Sequence, residues 1–168
     1  MSLFKRITNL FAKHEPPAEE KSILTLAPGD VVEVSMVTYQ VIGKAANASR
    51  NANMLTLQDG NQIRYLYIED RERTVYHLYH EIDGRLDSVD EVPTTIEMDD
   101  VVYHLEEQYH GRILVVGKAP FSASGEQYIW QFQSDQRQLL RIEWQDGRFM
   151  LYEGESVLPA DVQVLRGS

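Results

Sequence analysis

The chain reads as an all-β, mainly antiparallel protein, and three observations lead to that class. Short β-branched and aromatic runs recur from Ile23 onward, among them Val31-Val32-Glu33-Val34 and Tyr39-Gln40-Val41-Ile42; such residues fit a pleated, half-buried surface. Asp59-Gly60, Asp83-Gly84 and Asp146-Gly147 lie between these runs, and Asp-Gly is the dipeptide that best accommodates a two-residue hairpin turn. The chain also nearly repeats itself. Val41-Ile42-Gly43-Lys44-Ala45 returns as Val115-Val116-Gly117-Lys118-Ala119, and Leu66-Tyr67-Ile68-Glu69 returns as Leu140-Arg141-Ile142-Glu143, with Gly43–Glu69 and Gly117–Glu143 aligned without a gap. Self-similarity of this kind points to two similar β units.

Taken in order, residues 2–14 have the pattern of a short amphipathic helix. Leu3, Phe4, Ile7, Leu10 and Phe11 recur at helical spacing with Lys5, Arg6, Asn9 and Lys13 on the other side, and Ser2 is the N-cap. A helix this short is marginal alone in water and needs a surface. Glu15-Pro16-Pro17-Ala18-Glu19-Glu20-Lys21 then forms a semi-rigid linker, so residues 1–22 are one segment. The turn Pro28-Gly29-Asp30 precedes the first strands, and residues 47–53 form a polar loop. The Asp-Gly turns pair Met54–Leu57 with Ile63–Glu69, Thr74–Ile82 with Arg85–Val89, and Leu139–Trp144 with Arg148–Tyr152. Met98–Leu105 has a helical alternative, but its alignment with Asp30-Val31-Val32 favours a strand. Each unit is thus a meander of about five strands, the first within residues 23–93 and the second within 94–168. Positions 65–68 and 139–142 lack clean alternation, as strands buried on both faces do. The two units are expected to pack as a pseudo-symmetric sandwich or as a pair of small barrels.

Composition narrows the function classes. The 168 residues include no cysteine, which removes disulfides and thiolate metal sites. No apolar run reaches the roughly 20 residues of a spanning helix, and Lys5, Arg6, Asn9 and Lys13 interrupt any signal-peptide core. A cytoplasmic location, with peripheral contact at the inner membrane face left open, is the expectation. The net charge is −10, and setting aside Lys5, Arg6 and Lys13, which precede the first acidic residue at Glu15, leaves −13 on the rest. A body of that sign repels phosphate backbones, so nucleic-acid binding is not expected.

A family resemblance rests on the second unit, with Gly125-Glu126, Tyr128, Gln131-Phe132, Leu140-Arg141-Ile142-Glu143-Trp144 and Tyr152-Glu153-Gly154. Gly29-Asp30 and Tyr39-Gln40-Val41-Ile42-Gly43 carry it in the first. Over roughly residues 24–160 the chain resembles bacterial domain-of-unknown-function family 4178. It departs from the pattern at Met54, where many members carry an aromatic residue. The resemblance implies no established enzymatic activity; it implies an association with phage-shock, flotillin-like and other membrane-stress proteins.

Candidate chemistry is sparse. His77-Leu78-Tyr79-His80-Glu81, with His104 and His110 elsewhere, has the residue types of a metal site, but metal ligands must converge. A strand sends His77 and His80 to opposite faces because their separation is odd, so neither a metal nor another cofactor is expected. Glu69 and Glu143 end matching strands, and a pseudo-twofold arrangement could bring them together in a cleft suited to acid–base work. The simpler reading pairs each with an arginine such as Arg71 or Arg141. The tyrosines and tryptophans in the strands read mainly as core. The expectation is a non-catalytic accessory or adaptor protein that contacts a protein partner, or weakly a membrane, through Leu3, Phe4, Lys5, Arg6, Ile7, Leu10 and Phe11. Homo-oligomerisation is left open. The alternative is a small-molecule-binding module or an uncatalogued enzyme with a cleft between the units near Glu69 and Glu143.

Overall fold

A meander has two open edges, and an exposed strand edge is a row of unpaired N–H and C=O groups. In the computed structural model of the chain, which describes residues 22–86 and 88–166, each unit covers the other's edges. The strands are β1 (Val31–Val34), β2 (Val37–Asn47), β3 (Ala52–Asp59), β4 (Gln62–Asp70), β5 (Thr74–Ile82), β6 (Thr95–Met98), β7 (Val101–Gly117), β8 (Gly125–Ser134), β9 (Leu139–Gln145), β10 (Arg148–Val157) and β11 (Val162–Arg166). They lie in the order β11-β1-β2-β3-β4-β5-β10-β9-β8-β7-β6, and β2 also pairs with β7. All pairings are antiparallel. The β5–β10 and β2–β7 contacts therefore close strands 2, 3, 4, 5, 10, 9, 8 and 7 into one eight-stranded barrel, with β1, β11 and β6 outside it. The all-β, antiparallel expectation holds, but the packing is one shared barrel in place of a sandwich or two small barrels. The helices among the described residues are short 3₁₀ turns, and none is long and apolar enough to cross a membrane. The helix expected over residues 2–14, with its contact residues Leu3–Phe11, lies outside the described residues.

Three clusters form the core. Tyr65, Tyr67, Tyr79, Leu139, Met150 and Tyr152 meet inside the barrel. Val32, Val34, Val41, Leu55, Leu57, Leu66 and Ile68 pack on its outer face beneath β1 and β11, joined by Val162 and Val164. Trp130, Phe132, Leu140, Ile142 and Leu151 pack on the outer face of the second unit beneath β6 and beside Leu86, Val89 and Val92. Residues 65–68 and 139–143 are buried without alternation for this reason: one side faces the interior and the other an outer core.

Two turns follow the Asp-Gly signal, between β3 and β4 and between β9 and β10. The third does not. No strand forms among the described residues of 85–89, and β5 pairs with β10 over Tyr76–Ile82. Gly84 instead lies against Leu151, whose Cδ2 would be 2.5 Å from a Cβ placed on it. Met98–Leu105 is extended, as expected, but Asp99-Asp100 forms its turn with φ of 50° and 65°. The matching turn of the first unit is Ser35-Met36, with φ of 48° and 70°, so both are the doubly left-handed kind that suits hairpin twist. The alignment with Asp30-Val31-Val32 was the wrong partner.

The ungapped repeat also misaligns. Both units carry a bulge, between Val41 and Gly43 in β2 and between Leu105 and Glu107 in β7. After it Gly43 faces Thr56 and Glu107 faces Gln131, so Glu107 stands where Gly43 stands. Gly117 is instead Gly43's cross-strand partner at the barrel seam. A Cβ on Gly43 would meet the Lys118 carbonyl oxygen at 1.7 Å, and Gly117 has φ +72°; only glycine fits both requirements. Likewise Tyr65 faces Tyr79 whereas Arg141 faces Tyr152. Aligning the two buried tyrosines puts Glu143 at the place of Tyr67, not of Glu69.

Candidate functional site

The barrel interior is polar where its strands are most buried. Residues 139, 141, 143 and 145 of β9 alternate inward, as do 127, 129, 131 and 133 of β8. This places Arg141 and Glu143 inside with 5% and 6% of their side chains exposed, 2.9 Å apart. Such a pair is tolerable only with its remaining hydrogen-bonding groups engaged. Arg141 Nε donates to Glu143 Oε2, Tyr152 Oη donates to Glu143 Oε1 at 2.9 Å, and Arg141 Nη1 donates to Tyr109 Oη at 3.3 Å. The guanidinium also lies over the Tyr67 ring, 4.7 Å from its centroid. Burial alone would lower the arginine's pKa, but Tyr109, Glu143, Tyr67 and Tyr79 raise it well above its ordinary value. Burial and Glu143 raise Tyr152. The site is an ion pair in a cage of tyrosines.

The network continues to the barrel wall. Tyr67 Oη donates to Glu69 Oε1 at 2.9 Å and lies 3.4 Å from Tyr109 Oη. Arg50 Nε donates to the same Glu69 oxygen at 2.9 Å, Arg50 Nη2 reaches Glu107 at 2.6 Å, and the guanidinium stacks 3.8 Å from the Tyr109 ring centroid. Glu69 and Glu143 thus belong to one hydrogen-bonded chain without meeting. Arg141 partners Glu143, and Arg50, not Arg71, partners Glu69. The space among Ala45, Met54, Tyr67, Tyr109, Arg141 and Glu143 measures about 20 Å³, room for about one water. The inter-unit cleft expected here is filled by these side chains.

The two ends of the barrel differ. At one end Phe121 is buried against the interior cluster beneath Arg148, whose guanidinium lies 5.5 Å from its ring centroid, and buried Gln127 and Gln145 hydrogen-bond at 2.8 Å. At the other end a cavity of about 450 Å³ opens, within the range of small-ligand sites. Val75, His77, Tyr79, Gln131, Phe132 and Leu139 line it, with Arg73, Arg137, Glu106, Gln133 and Ser156 around them. Its residues come from β5, β7, β8, β9 and β10 and from the adjoining turns.

Strand alternation distributes the histidines as expected. His77 faces in, its ring stacked on Tyr67 with centroids 5.8 Å apart and its Nδ1 3.2 Å from Tyr79 Oη, while His80 is exposed. Burial, then the Arg141 charge, pulls His77 down to about 4 against the opposing pull of Glu69. It is therefore a neutral imidazole near pH 7. His104 and His110 lie on the outside near Asp135 and Glu126, and no group of three or more His, Asp or Glu side chains converges as a metal site among the described residues. Beside His77 the Gln131 side-chain nitrogen is buried without a hydrogen-bond partner. Sequence reasoning missed Gln131, Arg73 and Arg137. A signal for the first existed: Gln127, Gln131 and Gln133 alternate with Trp130 and Phe132, the pattern of a strand whose second face is polar and enclosed.

No curated protein and no solved structure matches the chain. A family model described as "Domain of unknown function (DUF4178)" matches residues 27–159, which takes in the whole closed barrel. The chain belongs to that family.

Proposed function

We propose that the chain is a non-catalytic binding module that takes a small molecule in the open end of its barrel. The observation that carries this reading is the cavity of about 450 Å³ around Gln131 and His77, with a buried amide nitrogen that lacks a partner. A buried donor without an acceptor costs about 1–3 kcal/mol, and a ligand oxygen would remove that cost. The carboxylate the sequence offers for acid–base work is not available for it: both oxygens of Glu143 accept hydrogen bonds, from Arg141 and Tyr152. The adaptor reading depends on Leu3–Phe11, which lie outside the described residues, so the geometry supports the ligand-binding reading better.

A fragment library screened by amide chemical shifts tests the proposal. Binding fragments should shift Val75, His77, Gln131 and Gln133, and Ser156→Trp, which narrows the mouth from an exposed strand position, should remove those shifts. Fragments that cluster elsewhere, or bind equally to the Trp variant, would defeat it.

A further inference from the structure

We infer that the ligand of this mouth is a small organic anion, a carboxylate or phosphate ester on an apolar body. The inference rests on the binding reading above and adds the ligand's chemistry. The walls supply the apolar complement: Val75 and Leu139 with the Tyr79 ring. The polar groups of the cavity include donors. Gln131 offers its unpaired amide nitrogen. His77 is neutral and has its Nδ1 on Tyr79 Oη; in the tautomer in which that nitrogen accepts from the tyrosine hydroxyl, Nε2 carries the proton and is a donor.

Arg73 and Arg137 add charge at the rim. The other interior arginines are committed, Arg50 to Glu69 and Glu107, and Arg141 to Glu143. Neither rim guanidinium has a hydrogen bond or ion pair of its own among the described residues. Glu106 is the one carboxylate among the residues lining the mouth, so two arginines face one glutamate there while the whole chain carries −10. Two uncommitted guanidiniums at the rim of a cavity with donors at its floor match an anion. A planar guanidinium recognises carboxylate and phosphate oxygens in pairs.

Arg137 carries a further mark. It has φ +66° in the turn between β8 and β9, a region where a non-glycine residue is strained and Gly or Asn is at ease. Its backbone is held by one hydrogen bond to Ser134, Arg137 N donating to the Ser134 carbonyl at 3.0 Å. The turn itself gains nothing from a guanidinium. The ligand would.

Hexanoate, hexyl phosphate and 1-hexanol distinguish the possibilities, with binding followed by titration calorimetry and by amide shifts at Val75, His77 and Gln131. Both anions should bind at the mouth, at least about tenfold tighter than the alcohol, the worth of one charge-assisted contact. Affinity should fall as salt rises. Arg73→Gln and Arg137→Gly should each weaken the anions about tenfold and leave hexanol unchanged. Arg137→Gly should at the same time raise Tm, which a merely structural arginine would not do. Ser156→Trp should remove binding of all three. The relative strength of hexanoate and hexyl phosphate separates a carboxylate ligand from a phosphate ester. If hexanol binds at the mouth as well as the anions and the arginine variants change nothing, the anion inference falls while the binding reading stands. If none of the three shifts the mouth amides, both fall. If the anions still bind after Ser156→Trp, they sit elsewhere on the surface and the inference is overturned.

Discussion

The barrel holds two polar regions side by side, and they solve opposite problems. Around Arg141 every charge is matched: Glu143, Tyr152, Tyr109 and Tyr67 surround it, and the remaining space is about 20 Å³. One cross-strand step away, Gln131 faces Arg141 in the β8–β9 ladder yet keeps a buried nitrogen without a partner beside a cavity of about 450 Å³. The difference teaches that polarity inside a barrel is not by itself a sign of function. What matters is whether the donors and acceptors are already used.

The sharpest way to break this comparison is to remove half of the closed region. Arg141→Met leaves Glu143 buried with only Tyr152, and should cost about 3–5 kcal/mol in urea denaturation, the penalty of an uncompensated buried charge. Adding Glu143→Leu should recover much of that loss, because the two residues are coupled. If the single variant is near neutral, the pair is not closed in the sense argued here.

The next test reads the boundary between the regions. His77 has a folded pKa lowered to about 4 from an ordinary 6.5. Between those values the unfolded chain binds the proton and the folded chain does not, so stability falls as pH drops from 6.5 to 4 and levels off below. The slope is about 1.4 kcal/mol per pH unit at its steepest. Subtracting the profile of His77→Gln isolates this group from the carboxylates that also titrate there. A difference that does not change with pH would show that His77 is not buried neutral.

Smaller effects sharpen the comparison further. Tyr109→Phe removes the hydroxyl that accepts from Arg141 and lies 3.4 Å from Tyr67 Oη, at a cost of about 1–2 kcal/mol by thermal denaturation. Arg73→Gln, on the exposed rim, should move stability by less than about 0.5 kcal/mol. Equal effects at Tyr109 and Arg73 would erase the distinction between a closed floor and an open rim.

Much of the fold was legible. Asp59-Gly60 and Asp146-Gly147 marked real hairpins, and the unbroken runs at 65–68 and 139–142 marked strands buried on both faces. Asp83-Gly84 misled because a glycine that permits a close approach to Leu151 looks the same as one that permits a turn. The site was less legible. Glu69 and Glu143 were visible as a repeated Ile-Glu, but their partners Arg50 and Tyr152 lie on other strands or turns. Arg73 and Arg137 sit in turns that nothing local connects.

Local physics, written in the order of residues, determined the strands, the turns and the existence of two similar five-strand units. Tertiary structure decided how those units were phased. The bulges at Val41/Gly43 and Leu105/Glu107 mark the matching places of the two units, and the pairings of β5 with β10 and of Gly43 with Gly117 set one unit against the other. In a pleated strand a shift of one residue exchanges the faces. Which glutamate meets which arginine, and which glutamine is left without a partner, therefore depended on the closure of the barrel. Pairing between residues far apart in the chain sets that closure, and no local pattern records it.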